Sequence, residues 1–227
     1  MNWQITPDIG IEAGVRYEKA DLAVDPVQVF TVPGAATAGT MQKRSYWLPA
    51  ATLTWQLRPD LQFRLNASKT IARPQFRELI YQAYFDPESN RQYQGNPLLI
   101  DSQLYNAEAR VEWYFANDQR FSAAAFFKRI DRPIESFITG GDFVTSFANA
   151  PKANLYGGEI EVQKYFDLDE LGGENSLFVG RRLVAIGNYT FTKSKLIVGA
   201  SDTTNVYGAS STIASDYFRD SAPLTGQ

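Results

Sequence analysis

Residues 47–68 read WLPAATLTWQLRPDLQFRLNAS. The odd positions are Trp47, Pro49, Ala51, Leu53, Trp55 and Leu57, against Leu48, Ala50, Thr52, Thr54 and Gln56. After Arg58-Pro59-Asp60 the alternation resumes, with Leu61, Phe63, Leu65 and Ala67 against Gln62, Arg64, Asn66 and Ser68. A period of two puts successive side chains on opposite faces of a strand. Pro-Asp between two such runs is turn chemistry, so the stretch predicts an antiparallel hairpin. The same pattern recurs at 9–18, 105–115, 121–128, 156–163 and 183–192, giving seven alternating segments with strand stubs at both ends. Ile9, Ile11, Ala13, Val15 and Tyr17, for example, alternate with Gly10, Glu12, Gly14, Arg16 and Glu18.

The connections carry a second pattern. Short turns are expected at 6–8, 58–60 and 116–119, and a longer one at about 167–181. Long Gly-, Pro- and Asn-rich connections fall at about 22–44, 74–102 and 194–222, with a shorter link at 131–142. Strand, short turn, strand, long loop is the order of an outer-membrane barrel, whereas long structureless loops are foreign to a compact soluble domain. Ile5-Thr6-Pro7-Asp8-Ile9 and Leu57-Arg58-Pro59-Asp60-Leu61 share an apolar-x-Pro-Asp-apolar core and are expected to form equivalent turns.

Composition agrees. The 227 residues hold 31 aromatics, yet mean hydropathy is −0.29. Alternating strands produce that combination, because apolar and polar residues cancel in the average. No run of 18 apolar residues exists to make a spanning helix, but a barrel strand needs only ~9–11 alternating residues. With no Cys and no His, disulfides, thiolate nucleophiles, Ser-His-Asp triads and imidazole metal sites are excluded. The 22 basic and 25 acidic residues make no basic field for nucleic acid.

Charge assigns the faces. The apolar sets are nearly free of charge, and the opposite sets carry Glu12, Arg16, Arg64, Glu108, Arg110 and Glu112. Arg or Lys at a bilayer midplane costs ~2–4 kcal/mol, whereas a polar lumen solvates both signs. Trp55, Phe63, Trp113, Phe115 and Phe121 flank short turns, and Tyr17, Trp47, Tyr189 and Phe191 lie near long-loop ends. These are the two interfacial levels that amphipathic rings favour. Two other folds also alternate: a small closed structural or porin-like barrel, and a soluble carbohydrate-binding β-sandwich.

Residues 66–135 are more specific. They contain Asn66-Ala-Ser-Lys-Thr-Ile-Ala-Arg-Pro-Gln-Phe-Arg-Glu-Leu79, Gly95-Asn-Pro-Leu-Leu99, Asn106-Ala-Glu-Ala-Arg-Val-Glu-Trp-Tyr-Phe115 and Phe126-Phe-Lys-Arg-Ile-Asp-Arg-Pro-Ile-Glu135. Asn149-Ala150 and Leu155-Tyr-Gly-Gly-Glu-Ile-Glu161 follow. These runs resemble the C-terminal half of the barrel of TonB-dependent outer-membrane receptors. The resemblance extends over essentially the whole chain, 1–227, with Pro223-Leu-Thr-Gly-Gln227 as the start of a further strand. Arg73-Pro74 is expected to end a strand, Gly95-Asn96-Pro97 to be a turn, and Gly157-Gly158 to mark a bend or bulge.

The resemblance implies an all-β, antiparallel transmembrane barrel segment of about 7–8 strands out of about 22. No plug domain or TonB box is visible, so the chain is expected to be a fragment of a larger receptor. In the bacterial outer membrane, such a receptor takes up a ferric siderophore, haem, cobalamin or an oligosaccharide, with the plug and TonB as partners and no cofactor. This chain would supply wall and extracellular loops. Arg73, Arg77, Tyr84, Arg91 and Tyr93, at or beyond the loop end of the 61–68 strand, are the candidate ligand contacts, since cationic and aromatic groups suit an anionic chelate or a sugar ring. Arg16, Arg64 and Arg110 suit plug contact or lumen lining. Acid pairs such as Glu159 and Glu161, two apart on one strand face, and Glu108 and Glu112, four apart, are what a glycosidase could use, and no enzymatic role is expected.

Overall fold

The structure is a computed structural model and describes residues 1–25, 38–139, 144–168 and 180–224. Eight strands form one antiparallel sheet, in the spatial order β1 (Asn2–Thr6), β2 (Ile9–Val24), β3 (Thr40–Arg58), β4 (Leu61–Ala72), β7 (Ser102–Ala116), β8 (Gln119–Asp131), β11 (Lys152–Asp167) and β12 (Arg182–Ile197). Each strand pairs with its neighbour in sequence among these eight, as a meander. A second, four-stranded sheet sits at the loop end, in the order β5 (Ala83–Asp86), β6 (Arg91–Gln94), β10 (Thr145–Asn149) and β9 (Ile134–Ile138), with β6 and β10 parallel. One helical turn, α1 (Phe76–Leu79), precedes β5.

The registers keep each alternating set on one face. Ile11 pairs with Leu53, Leu53 with Leu65, Leu65 with Ala109, and Ala109 with Ala125. Ala125 in turn pairs with Gly158, and Gly158 with Phe191. All seven predicted alternations therefore fall in phase, since a slip of one residue would have inverted a strand. Trp55 pairs with Phe63 and Trp113 with Phe121 at the short-turn end. Tyr17 pairs with Trp47 at the loop end, their rings 4.8 Å apart. Trp47 and Tyr189 are about two-thirds exposed. Among the described residues nothing packs against this face, which removes the sandwich reading.

The opposite face is polar. Arg110 bridges Glu108 and Glu159, each at 3.2 Å, and Arg64 lies 3.5 Å from Glu112. Arg120 holds Glu161 at 2.5 Å. The carboxylates once open to a glycosidase reading are each engaged by an arginine.

The two Pro-Asp turns are equivalent, as expected. Gln4 Nε2 donates to the Thr6 carbonyl at 2.7 Å, and Gln56 Nε2 donates to the Arg58 carbonyl at 2.7 Å. Each turn also carries a register irregularity just before its proline. At 116–119 the turn is closed by Asp118 with φ 57°, a left-handed conformation that Asp tolerates.

Three readings change. Gly157-Gly158 makes no bulge, because β11 keeps unbroken register with both β8 and β12 through these residues. Gly157 is needed for close approach instead: a Cβ there would collide with the Phe191 carbonyl oxygen and the Phe126 ring. The connections 74–102 and 131–142 are not structureless, since they hold α1, β5, β6 and β9. The small closed barrel is not formed, because β1 and β12 end the sheet and do not pair with each other. Pro223 and Leu224 are irregular, and 225–227 lie outside the described residues, as do most of the 167–181 turn and the middle of the 22–44 connection.

The apolar core lies at the loop end. Ile130, Phe137, Ala148, Ala150, Ala153, Leu196 and Phe218 cluster where segment 198–224 folds over β9 and β10. A Thr203–Ile213 bridge and a 3-10 turn at Ala214–Asp216 shape that segment.

Candidate functional site

Two motif asparagines hold the loop end together. Asn96, almost wholly buried, donates through Nδ2 to the carbonyls of Phe147 (3.0 Å) and Asn205 (2.8 Å). Its Oδ1 accepts from Leu98 N (3.1 Å) and Tyr207 N (3.2 Å). Asn149 does the same work: Oδ1 accepts from Ile100 N, and Nδ2 donates to the carbonyls of Ile100 and Arg132, all at 2.9 Å. Its own carbonyl accepts from Thr204 Oγ1 at 2.8 Å. Each amide bond is worth ~1 kcal/mol net, and more is at stake in leaving the buried partners unpaired. Three connections distant in sequence are thereby fixed to one another.

Gly95 explains the rest of its motif. A Cβ there would meet the carbonyl oxygens of Ile80 at 2.5 Å and Glu78 at 2.7 Å, so only glycine lets β6 leave the sheet against the α1 turn. Gly95 N and Asn96 N then donate to those two carbonyls.

Beside this frame lies an open cleft of about 430 Å³. Its floor is a ladder of three nearly parallel rings on β5, β6 and β10. Tyr84 and Tyr93 are stacked at 5.8 Å and 19°, Tyr93 and Phe147 at 5.9 Å and 13°. The antiparallel pairing of Tyr84 with Tyr93 and the parallel pairing of β6 with β10 put the rings side by side. Arg73, Arg77, Glu78 and Asp86 rim the cleft. Arg73 Nη1 is 2.6 Å from Glu18 Oε1, so its charge is already shared. Arg77 is exposed and in no ion pair among the described residues; its Nε donates to Gln75 Oε1 at 2.9 Å.

The titrating groups differ by environment. Burial raises the Glu78 carboxyl pKa, partly offset by the Gln75 N–H that donates to it and by Arg77. Asp86 accepts from Ser89 Oγ and Glu88 N, and these bonds lower its pKa. Burial also raises the Tyr84 hydroxyl pKa.

Of the five sequence candidates, Arg73, Arg77, Tyr84 and Tyr93 line this one cleft. Arg91 does not line it; it sits opposite Asp86 at the turn end of the β5–β6 hairpin. Sequence reasoning missed Phe147, Glu78, Asp86 and Ser136. The alternating Thr145–Asn149 run was the available signal for Phe147, but its partner strand lies some fifty residues away. No cluster of metal-ligating side chains occurs among the described residues. The chemistry on offer is stacking on flat rings together with a free guanidinium.

Residues 1–226 match the family described as TonB dependent receptor-like, beta-barrel. Two solved structures of the ferric enterobactin receptor PfeA are similar in fold. One superposes with a TM-score of 0.51 at 14% identity, over 88% of this chain and 30% of that one. The other, a mutant from Pseudomonas aeruginosa, gives 0.53 at 15%, over 89% and 29%. The Serratia marcescens hemophore receptor HasR gives 0.45 at 13%, over 87% and 40%. Comparison with curated protein sequences gave no match. The chain thus spans under a third of the length of the PfeA structures. By the match along residues 1–226, the chain belongs to the TonB-dependent receptor β-barrel family, whose members are transporters of the bacterial outer membrane.

Proposed function

We propose that this chain is wall and extracellular loop structure of an outer-membrane receptor that takes up a scarce ligand: a ferric siderophore, haem, cobalamin or an oligosaccharide. Residues 1–227 form one part of that barrel, and a plug domain elsewhere in the protein couples uptake to TonB. The cleft at the loop end carries the reading. Its stacked Tyr84, Tyr93 and Phe147 rings present flat apolar area, and Arg77 presents an uncommitted cation beside them. Arg73 and Arg77 receive the anionic groups, and the ring ladder receives a flat or sugar-like face. Nearer the short turns, on the face of the wall that also carries Glu18, the paired arginines and carboxylates make a polar lumen lining of balanced charge.

The test is a binding titration of the intact protein in detergent against one member of each ligand class, repeated with Tyr93→Ala and Arg77→Gln. We expect one class to bind and each variant to weaken it roughly tenfold, the size of one lost stacking or charge-assisted contact. Binding at wild-type strength in both variants would remove the cleft from the site.

A further inference from the structure

The apolar face of the large sheet changes character at its loop end. Between the two aromatic levels it carries no charge on the described strands. Just beyond Phe127 and Tyr156, one row crosses five strands at a single level. Lys69 pairs with Tyr105, Tyr105 with Arg129, Arg129 with Asn154, and Asn154 with Lys195. At the usual strand spacing the row is about 19 Å long. Lys193 stands one step below it, opposite Tyr156, and Lys152 one step above, opposite Asp131.

Five cations therefore share this patch with few acids. Arg129 holds Asp131 at 2.9 Å, and Lys195 lies in the field of Asp220. Lys69 Nζ rests 5.5 Å above the Tyr105 ring. Among the described residues Lys69, Lys152, Lys193 and Lys195 form no ion pair. At the short-turn end the same face of β11 carries Lys164, opposite Ala185, with its Nζ 4.9 Å over the Phe166 ring. Among the described residues nothing covers the row, and it lies on the opposite face from the polar lumen lining.

A cation on a lipid-facing surface is costly in hydrocarbon and favourable in a headgroup layer that bears phosphate. The row sits at that depth, immediately past the last apolar residues. Long lysine stems can cover apolar surface while their ammonium groups reach outward. We propose that Lys69, Arg129 and Lys195, supported by Lys152 and Lys193, bind the phosphate headgroups of anionic lipid in the leaflet at the loop end. Tyr105, Phe127 and Tyr156 pack against the backbone and upper acyl chains of the same lipid. The site is independent of the ligand cleft.

The experiment uses the intact protein in neutral detergent, titrated with micelles containing phosphatidylglycerol or phosphatidylcholine. We expect preferential binding of phosphatidylglycerol, weakened roughly fivefold for each charge removed in Lys69→Gln, Arg129→Gln and Lys195→Gln combined. Lys128→Gln, on the polar face, keeps the wild-type preference. Should the triple variant not fold, Lys195→Gln alone reads the single fivefold step. The proposal is overturned if wild type does not discriminate the two lipids, if the folded variant binds phosphatidylglycerol as wild type does, or if inorganic phosphate at equal concentration abolishes the preference, which would assign the row to a soluble anion.

Discussion

At the scale of single residues, Glu78 sets how the cleft responds to pH. Its folded-state pKa is raised by burial, so its contribution to stability is present at low pH and lost as pH rises through the raised value. Below that value the carboxyl is neutral and Arg73 and Arg77 dominate the rim. Affinity for an anionic ligand should therefore rise on acidification through a window above the ordinary glutamate range. Glu78→Gln should bind with a flat profile through the same window, measured as dissociation constant against pH. An unchanged slope in the variant would show that another group titrates. Residue placement was unevenly legible. Arg73, Arg77, Tyr84 and Tyr93 could be chosen from chemistry and from their place after a strand end. Gly157 was misread, because sequence cannot distinguish a glycine that permits an unusual φ from one that leaves room for a neighbour. Here the neighbours are the Phe126 ring and the Phe191 carbonyl.

At the scale of elements, the long strands were legible because each repeats its period several times over 12–19 residues. One face reads apolar over Ile9–Tyr17 in β2, Leu61–Ala67 in β4, Ala107–Phe115 in β7 and Phe121–Phe127 in β8, and the registers join those faces. The consequence is measurable. Ala109 sits mid-strand, flanked by Leu65 and Ala125 on the apolar face. Ala109→Lys should destabilise the barrel by ~2–4 kcal/mol in bilayers. Asn66→Lys, on the polar face opposite Thr52 and Glu108, should cost far less. Comparable losses in urea unfolding from liposomes would mean the faces are wrongly assigned. The small sheet was not legible for the converse reason: β5 and β6 are four residues each, too short to show a period. Its parallel β6–β10 pairing joins segments that no local pattern connects.

At the scale of the molecule, the large sheet has two free edges, β1 and β12, and lipid does not tolerate unpaired backbone at an open edge. β12 is exposed on both faces over most of its length, including the large apolar residues Ile186, Tyr189 and Phe191. The 227-residue chain expressed alone should aggregate, and light scattering after refolding in detergent would show it. A soluble, monodisperse product would contradict the open-sheet reading. The asparagine clasps carry a different lesson, for engineering and descent. Asn96 and Asn149 tie backbone from three segments, 96–100, 132–149 and 205–207, into one knot. These three outer segments cannot be exchanged piecemeal between relatives without stranding buried amides. They should be inherited, and must be grafted, as a single cassette.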